Sequence, residues 1–253
     1  MHDLPVAFAG VPANIGAPGG LLGRQDWWRF KLGNQISLTA SDGFKLGGYR
    51  SDPAGKPKGG LVVIQEIFGV NHHIRNVCDR FAALGYASVA PAVFDRMTPN
   101  FECGYSPAEI ENARGFIPKI DWAAMMRDTA AAIDAVKGAG KVGIVGYCMG
   151  GRVAFMAACN LDGLSCAIGY YGGAIAKNAD NKPKVPTLLH FGDQDQSIPI
   201  SDVEIVRQKR PDVEIHVYHA GHGFSCDERG SYNEAAHKEA LERTLTWLTQ
   251  HVG

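Results

Sequence analysis

The chain has 253 residues, of which 45% are hydrophobic and 20% charged, and its formal net charge is −1. This length allows one large domain with a substantial core, and the near-zero charge gives no reason to expect nucleic acid or an anionic membrane as a partner. No apolar run is long enough to span a bilayer, and no basic cluster precedes an apolar run near Met1. We therefore expect no membrane span and no secretory signal, and a cytoplasmic location.

The cysteine content argues against disulfide or zinc scaffolding. Six cysteines are present, namely Cys78, Cys103, Cys148, Cys159, Cys166 and Cys226. Their spacings match neither a zinc pattern nor a compact disulfide framework, so we expect most of them to be reduced. Cys78 and Cys159 fall within apolar helical patterns, which predicts that both are small core residues.

The N-terminal part of the chain divides into an arm and the start of a domain. Residues 1–33 form a predicted arm, rich in Gly, Ala and Pro, that either docks through its aromatic end at residues 27–30 or is a disordered tail. The predicted domain covers residues 34–253. It begins with a hairpin in which residues 34–40 and 44–50 flank an Asp42-Gly43 turn.

From residue 61 onward, predicted strands alternate with predicted helices. The strands cover residues 61–64, 87–90, 142–145, 166–169, 187–191 and 214–218, and the helices cover 74–84, 125–136, a segment starting near 150, and 233–249. This alternation predicts one α/β domain with a mostly parallel, doubly wound sheet flanked by helices on both faces. The irregular segment 93–120 is either a cap or substrate loop or a passive excursion.

The most informative motif joins a predicted strand to a predicted helix. Gly146-Tyr147-Cys148-Met149-Gly150 follows the strand at 142–145 and matches the nucleophile elbow, with cysteine in place of serine. Such a sharp turn needs neighbours with almost no side chain, which Gly146 and Gly150 provide. The following helix N-terminus favours the thiolate, so Cys148 is the predicted nucleophile.

A thiol nucleophile needs a base, and the base needs an orienting acid. His222 lies in a glycine-flanked loop after the last predicted strand, which favours a catalytic role over core packing. His190 lies inside an apolar strand and is interpreted as an interior histidine. His72 and His73 are interpreted as ordinary surface residues if the site lies elsewhere.

The pattern of residues alone does not decide which acid orients His222. Asp193 and Asp195 both follow the strand at 187–191, and spacing gives no preference between them. Glu66 follows the apolar strand at 61–64, an unusual setting for an acid. Its carboxylate either accepts hydrogen bonds from backbone amides, or it lies near the nucleophile and changes its partner during the catalytic cycle. The backbone N–H groups of Ile67 and Met149 are the predicted oxyanion hole.

These motifs together resemble the dienelactone hydrolase family, also called carboxymethylenebutenolidases, over roughly residues 34–250. The similar segments are Gln65-Glu66-Ile67-Phe68-Gly69-Val70-Asn71, Gly146-Tyr147-Cys148-Met149-Gly150-Gly151, Gly169-Tyr170-Tyr171-Gly172, Gly192 to Asp195 with Pro199, and Ala220-Gly221-His222-Gly223-Phe224. The resemblance implies an α/β-hydrolase fold. It also implies hydrolysis of an activated lactone or ester, a small-molecule substrate, and no metal or organic cofactor.

The resemblance also implies roles for individual residues. Cys148 corresponds to the nucleophile and His222 to the base, and Asp195 is selected as the acid because it lies four residues before a proline. Glu66 corresponds to a glutamate that interacts with the cysteine and releases it as thiolate when substrate arrives. Tyr171 corresponds to a pocket tyrosine.

One departure from the family pattern bears on the substrate. Members that act on dienelactone hold its carboxylate with two arginines. One of them follows the histidine by four residues, where this chain has Cys226 with Arg229 nearby, and Arg114 is the best candidate for the other. Hydrolysis is therefore better supported than dienelactone as the natural substrate. The alternatives are a broader carboxylesterase or thioesterase and a non-catalytic ligand sensor, and we expect a monomer or small homo-oligomer.

Overall fold

The computed structural model of the protein describes residues 33–253. The predicted arm therefore lies outside the described residues, apart from Gly33. Within the described range, the strands are β1 (Asn34–Thr39), β2 (Lys45–Ser51), β3 (Gly59–Ile64), β4 (Tyr86–Pro91), β5 (Val142–Tyr147), β6 (Cys166–Tyr170), β7 (Thr187–Gly192) and β8 (Glu214–Tyr218). The α-helices are α1 (His72–Ala83), α2 (Pro107–Arg114), α3 (Trp122–Val136), α4 (Met149–Asn160), α5 (Ile200–Lys209) and α6 (Glu234–His251). None of these helices combines the length and apolar content needed to cross a bilayer.

The strands form one sheet in the order β1-β2-β4-β3-β5-β6-β7-β8. The hairpin β1–β2 is antiparallel and joins the rest of the sheet through an antiparallel pairing of β2 with β4. Every pairing from β4 to β8 is parallel. The structure thus confirms the prediction of a mostly parallel sheet that begins with an N-terminal hairpin.

Helices cover both faces of this sheet, as β3 makes clear. Leu61 and Val63 pack in the apolar cluster that contains Ile74 of α1, together with residues of α5 and α6. Val62 and Ile64 point the other way, into the cluster that contains Met125 of α3 and residues of α4. A strand buried on both faces must be apolar at successive positions, which explains the continuous run that the sequence shows.

Two helices were not predicted. The segment 93–120 contains α2, which begins with a capping box: the Ser106 hydroxyl accepts a hydrogen bond from the Glu109 amide, and the Glu109 carboxylate accepts one from the Ser106 amide. Pro107 occupies the first turn, where it needs no hydrogen-bond partner. Helix α5 buries only Val203 and Val206, so its apolar periodicity is too weak to stand out.

The parallel arrangement brings several polar residues to one edge of the sheet. Glu66, Cys148, Tyr171, Asp195 and His222 each follow the carboxyl end of a different strand, namely β3, β5, β6, β7 and β8. In open α/β sheets, the crevice at this edge is where ligands bind.

Candidate active site

The turn after β5 holds Cys148 in an unusual backbone conformation. Its φ is 54° and its ψ is −117°, outside the regions that residues with a side chain readily adopt. A Cβ atom on Gly146 would overlap the carbonyl oxygen of Gly150, and a Cβ on Gly150 would overlap that of Ile64. The Cys148 amide donates a hydrogen bond to the Tyr170 carbonyl over 3.0 Å. The two glycines therefore make room for a turn that presents the thiol at the edge of the sheet.

Three of the predicted residues form a chain of short contacts. Cys148 Sγ lies 3.1 Å from His222 Nε2, and His222 Nδ1 lies 2.7 Å from Asp195 Oδ2. The fully buried Asp195 side chain also accepts hydrogen bonds from the amides of Ser197 and Ile198, at 2.8 and 3.2 Å. These amides fix the carboxylate, and the carboxylate fixes the imidazole ring.

The electrostatics of this group favour a charged imidazole. Burial alone would lower the pKa of His222, but the neighbouring Cys148 and the Asp195 carboxylate together raise it to about 10. An imidazolium facing sulfur stabilises a thiolate. The arrangement can therefore supply a nucleophilic sulfur and a proton donor at neutral pH.

The other aspartate of the β7 loop has a different partner. Asp193 Oδ2 lies 3.1 Å from Nδ1 of His219, a histidine whose side chain is 81% exposed. Asp193 thus pairs at the surface, whereas Asp195 points inward to His222.

His190 is the interior histidine that its apolar strand predicted. It is fully buried, its Nδ1 lies 2.8 Å from the Tyr218 hydroxyl, and its Nε2 lies 3.1 Å from the Thr244 hydroxyl. Burial lowers its pKa well below the usual value for histidine, so it stays neutral.

Glu66 is buried and forms an ion pair that the sequence analysis did not anticipate. Its Oε1 accepts a hydrogen bond from Arg229 Nη1 over 2.9 Å, while its Oε2 has no hydrogen-bond partner among the described residues. The Arg229 guanidinium carbon lies 5.4 Å from the centre of the Phe68 ring and 5.9 Å from that of Tyr105. A side chain on Gly223 would overlap this guanidinium, so the glycine beside the histidine also makes room for Arg229.

Two further predicted pocket residues lie in contrasting places. Tyr171 is fully buried, its ring centre is 5.2 Å from that of His222, and its hydroxyl has no hydrogen-bond partner among the described residues. Arg114 lies at the end of α2 with a 60% exposed side chain, 3.9 Å from Glu111. The structure thus brings Tyr171 next to His222 and leaves Arg114 facing solvent.

The predicted oxyanion hole combines the Ile67 amide, which follows β3, with the Met149 amide, which begins α4, and these two elements are in contact. Gly150 is so close to the carbonyl oxygens of Ile64 and Gln65 that it admits no side chain, so the end of β3 abuts the start of α4. Ile67 follows Gln65 by two residues, and Met149 directly precedes Gly150. Neither of their amides donates a hydrogen bond to another described residue.

His73 was interpreted as an ordinary surface residue if the site lies elsewhere, but the structure buries it. Its side chain is 1% exposed, and its Nδ1 lies 3.3 Å from Asp227 Oδ1. Helix α1 begins at His72, whose side chain stays 71% exposed, whereas His73 precedes Val77 by one helical turn on the buried face. Extending the apolar period one turn back from Val77 could have found it.

The six cysteines differ in burial, and none of them forms a disulfide among the described residues. Cys78 is fully buried, as predicted, and burial raises the pKa of its thiol. Cys159 is only half-buried, at the side of α4, because it lies near the end of the helix.

Comparison with known proteins finds a matching family model and several relatives. A family model described as the dienelactone hydrolase family matches residues 46–252. The carboxymethylenebutenolidase of Pseudomonas putida is 33% identical over 224 residues, covering 84% of this chain and 94% of its own. Carboxymethylenebutenolidase 1 of Cupriavidus pinatubonensis is 30% identical over 228 residues, covering 86% of this chain and 97% of its own. A crystal structure of a provisionally named dienelactone hydrolase from Klebsiella pneumoniae superposes with a TM-score of 0.75 at 29% identity, covering 86% of this chain and 100% of its own.

Proposed function

The chain belongs to the dienelactone hydrolase family and is a hydrolase of lactones and esters, and we propose that Cys148 is its nucleophile, with His222 as base and Asp195 as orienting acid. The observation that carries this proposal is the 3.1 Å approach of His222 Nε2 to Cys148 Sγ, backed by the 2.7 Å contact of His222 with Asp195.

In the first half-reaction, the Cys148 thiolate attacks the carbonyl carbon of the lactone. The amides of Ile67 and Met149 donate hydrogen bonds to the oxyanion of the tetrahedral intermediate. The ring C–O bond then breaks, the enolate leaves with the proton of the His222 imidazolium, and an acyl-thioester remains on Cys148. Because a thiolate is itself easily expelled, the intermediate goes forward more readily when the other leaving group is also a stable anion. This favours enol-lactones over alkyl esters.

In the second half-reaction, the neutral His222 accepts a proton from water as the water oxygen attacks the thioester carbon. The C–S bond breaks, the product leaves as a carboxylic acid, and Cys148 returns to the thiolate facing the imidazolium. No proton, electron or co-reactant other than water is consumed.

We propose that Glu66 and Arg229 connect this chemistry to the substrate. A guanidinium has five N–H donors, of which the contact with Glu66 uses one, and the Arg229 side chain remains 15% exposed. A substrate carboxylate would compete for Arg229 and leave Glu66 to change partner, consistent with the role that the resemblance gives this glutamate. Tyr171 would line the same pocket.

The nucleophile is tested with Cys148→Ala, with Cys159→Ser as the matched control because its half-buried thiol lies outside the candidate site. We expect Cys148→Ala to lower enol-lactone turnover by at least about 10³-fold with unfolding unchanged, and the control to keep wild-type turnover. With a slowly hydrolysed substrate, intact-protein mass spectrometry should detect an acyl adduct on wild type but not on Cys148→Ala. Turnover retained in Cys148→Ala would refute the assignment.

The substrate class is tested with a panel of lactones with and without a carboxylate, p-nitrophenyl acetate and acyl thioesters. We expect Arg229→Met to raise KM for the carboxylate-bearing lactone and not for its neutral analogue. Arg114→Met, which alters an exposed arginine, should change neither. Equal rates across the whole panel would instead favour a broader carboxylesterase or thioesterase.

A further inference from the structure

Glu66 also belongs to a second group of chemically reactive side chains, whose other members, His73 and Cys226, take no part in the proposed hydrolysis. One donor atom each from Glu66, His73 and Cys226 lies within 4.8 Å of the others, and all three residues are buried. They come from three separate parts of the chain: the loop after β3, the first turn of α1, and the loop after β8. We propose that these residues form a binding site for a thiophilic divalent cation of the Zn²⁺ class.

The unpartnered atoms of this group support the proposal. Glu66 Oε2 and His73 Nε2 are buried and have no hydrogen-bond partner among the described residues, whereas His73 Nδ1 faces Asp227 in an ion-pair contact of 3.3 Å. Both side chains are 1% exposed. Buried polar atoms are normally satisfied, so unpartnered atoms from two residues facing one point require an explanation. A cation there would satisfy both side chains.

The donor set selects the kind of cation. One thiolate, one imidazole nitrogen and one carboxylate oxygen suit zinc, whereas Mg²⁺ and Ca²⁺ prefer oxygen ligands alone. Tetrahedral zinc with bonds of about 2.0 to 2.3 Å places its donors about 3.5 Å apart, so the residues need to close by roughly 1 Å. The Cys226 Sγ also lies 3.4 Å from the Tyr105 hydroxyl, and its thiol proton would pass to solvent on binding.

The groups around His73 resemble those that orient a metal-bound histidine. Asp227 Oδ1 lies 3.3 Å from His73 Nδ1, which leaves Nε2 for a metal, and Asp227 Oδ2 is held 2.6 Å from Arg80 Nη2. A carboxylate behind a ligating histidine fixes its tautomer and raises its basicity. On the opposite side, Arg229 binds the other oxygen of Glu66 and leaves Oε2 free to bind a metal.

The test uses Co²⁺, which occupies zinc sites and gives a charge-transfer absorption when bound to a thiolate. Cys148 and His222 form a second thiol–imidazole pair, so all measurements are made in Cys148→Ala. We expect this variant to bind one Co²⁺ per chain with the charge-transfer band, and Zn²⁺ to displace it. Adding Cys226→Ser should abolish the band, whereas adding Cys159→Ser should leave it unchanged.

Two further variants separate loss of a ligand from loss of the fold. Glu66→Gln should weaken Co²⁺ binding at least about tenfold, and Asp227→Asn, which removes the carboxylate behind His73, by about 10- to 100-fold. Thermal unfolding without metal establishes that each variant is folded, and at one fixed Zn²⁺ concentration the rise in Tm should be smaller for the Glu66→Gln derivative than for Cys148→Ala itself. A band that is absent from Cys148→Ala, or that persists after Cys226→Ser, would overturn the proposal.

A bound cation would hold Glu66 and slow turnover in the wild-type enzyme. This consequence rests on the proposed function. Because cation binding is measured in a variant without the nucleophile, failure of the site and failure of the proposed catalytic mechanism are distinguishable.

Discussion

Replacing Arg229 by methionine tests whether the buried ion pair with Glu66 is needed for stability. The 2.9 Å contact places the two charge centres about 4 Å apart, where an effective dielectric constant of 20 gives an attraction of about 4 kcal/mol. The Glu66 side chain is 1% exposed and the Arg229 side chain 15%, so solvent screens this pair little. Methionine keeps a long unbranched side chain but loses the guanidinium near the Phe68 ring and leaves the Glu66 charge uncompensated. We expect a loss of about 3–5 kcal/mol, a large part of the roughly 5–15 kcal/mol that stabilises a typical domain.

The assay is equilibrium urea unfolding in the presence of a chelator, for wild type, Arg229→Met, Glu66→Gln and the double variant. Removing the glutamate charge should restore about 2 kcal/mol or more to Arg229→Met, because the double variant no longer buries an unpaired carboxylate. Parallel denaturant slopes would show that the unfolding transition is the same in all four proteins. A loss below about 1 kcal/mol in Arg229→Met, or additive effects of the two changes, would refute the reasoning.

Three further predictions concern the catalytic group. Asp195→Asn should lower kcat by about 10⁴-fold in a lactone assay while the protein still folds and unfolds cooperatively in urea, since the change perturbs the imidazole that Asp195 orients. Because the pKa of His222 is raised from 6.5 to about 10, its contribution to stability is complete below about pH 6.5 and is lost as pH rises through about 10. Wild-type kcat/KM should fall in the same upper range, and an NMR titration should show a lower His222 pKa in Cys148→Ala. Gly150→Ala, whose Cβ would overlap a backbone oxygen of β3, should cost at least about 1–3 kcal/mol in urea unfolding, whereas Gly138→Ala, which meets nothing within 4 Å, should unfold like wild type.

Much of this architecture was predictable because each signal was local. The apolar run in β3, the alternation of elements and the glycines around Cys148 all follow from the requirements of one strand or one turn. The order of strands and the meeting of their carboxyl ends then follow from parallel connectivity. For the same reason, His222 could be singled out from its loop position alone.

The features that were missed depend on contacts between distant parts of the chain. Nothing near Glu66 in sequence indicates that its partner is Arg229, 163 residues away. Spacing alone does not separate Asp193 from Asp195; the family resemblance selects Asp195, and in the structure the two side chains point in different directions. The burial of His73 was not predicted because the adjacent His72 is exposed and the two look alike in sequence. Helix α2 was not predicted because prolines and glycines surround its capping box.

The backbone conformation of Cys148 opposes the stability of the fold. A residue with a side chain at φ 54° and ψ −117° stores strain of about 1–3 kcal/mol. Glycine at this position would relieve that strain and also remove the proposed nucleophile, so the inactive variant would be free of a destabilising conformation that the active protein keeps. Selection for thermal resistance alone would therefore favour loss of the thiol, and a library screened for stability needs a parallel activity screen to retain it.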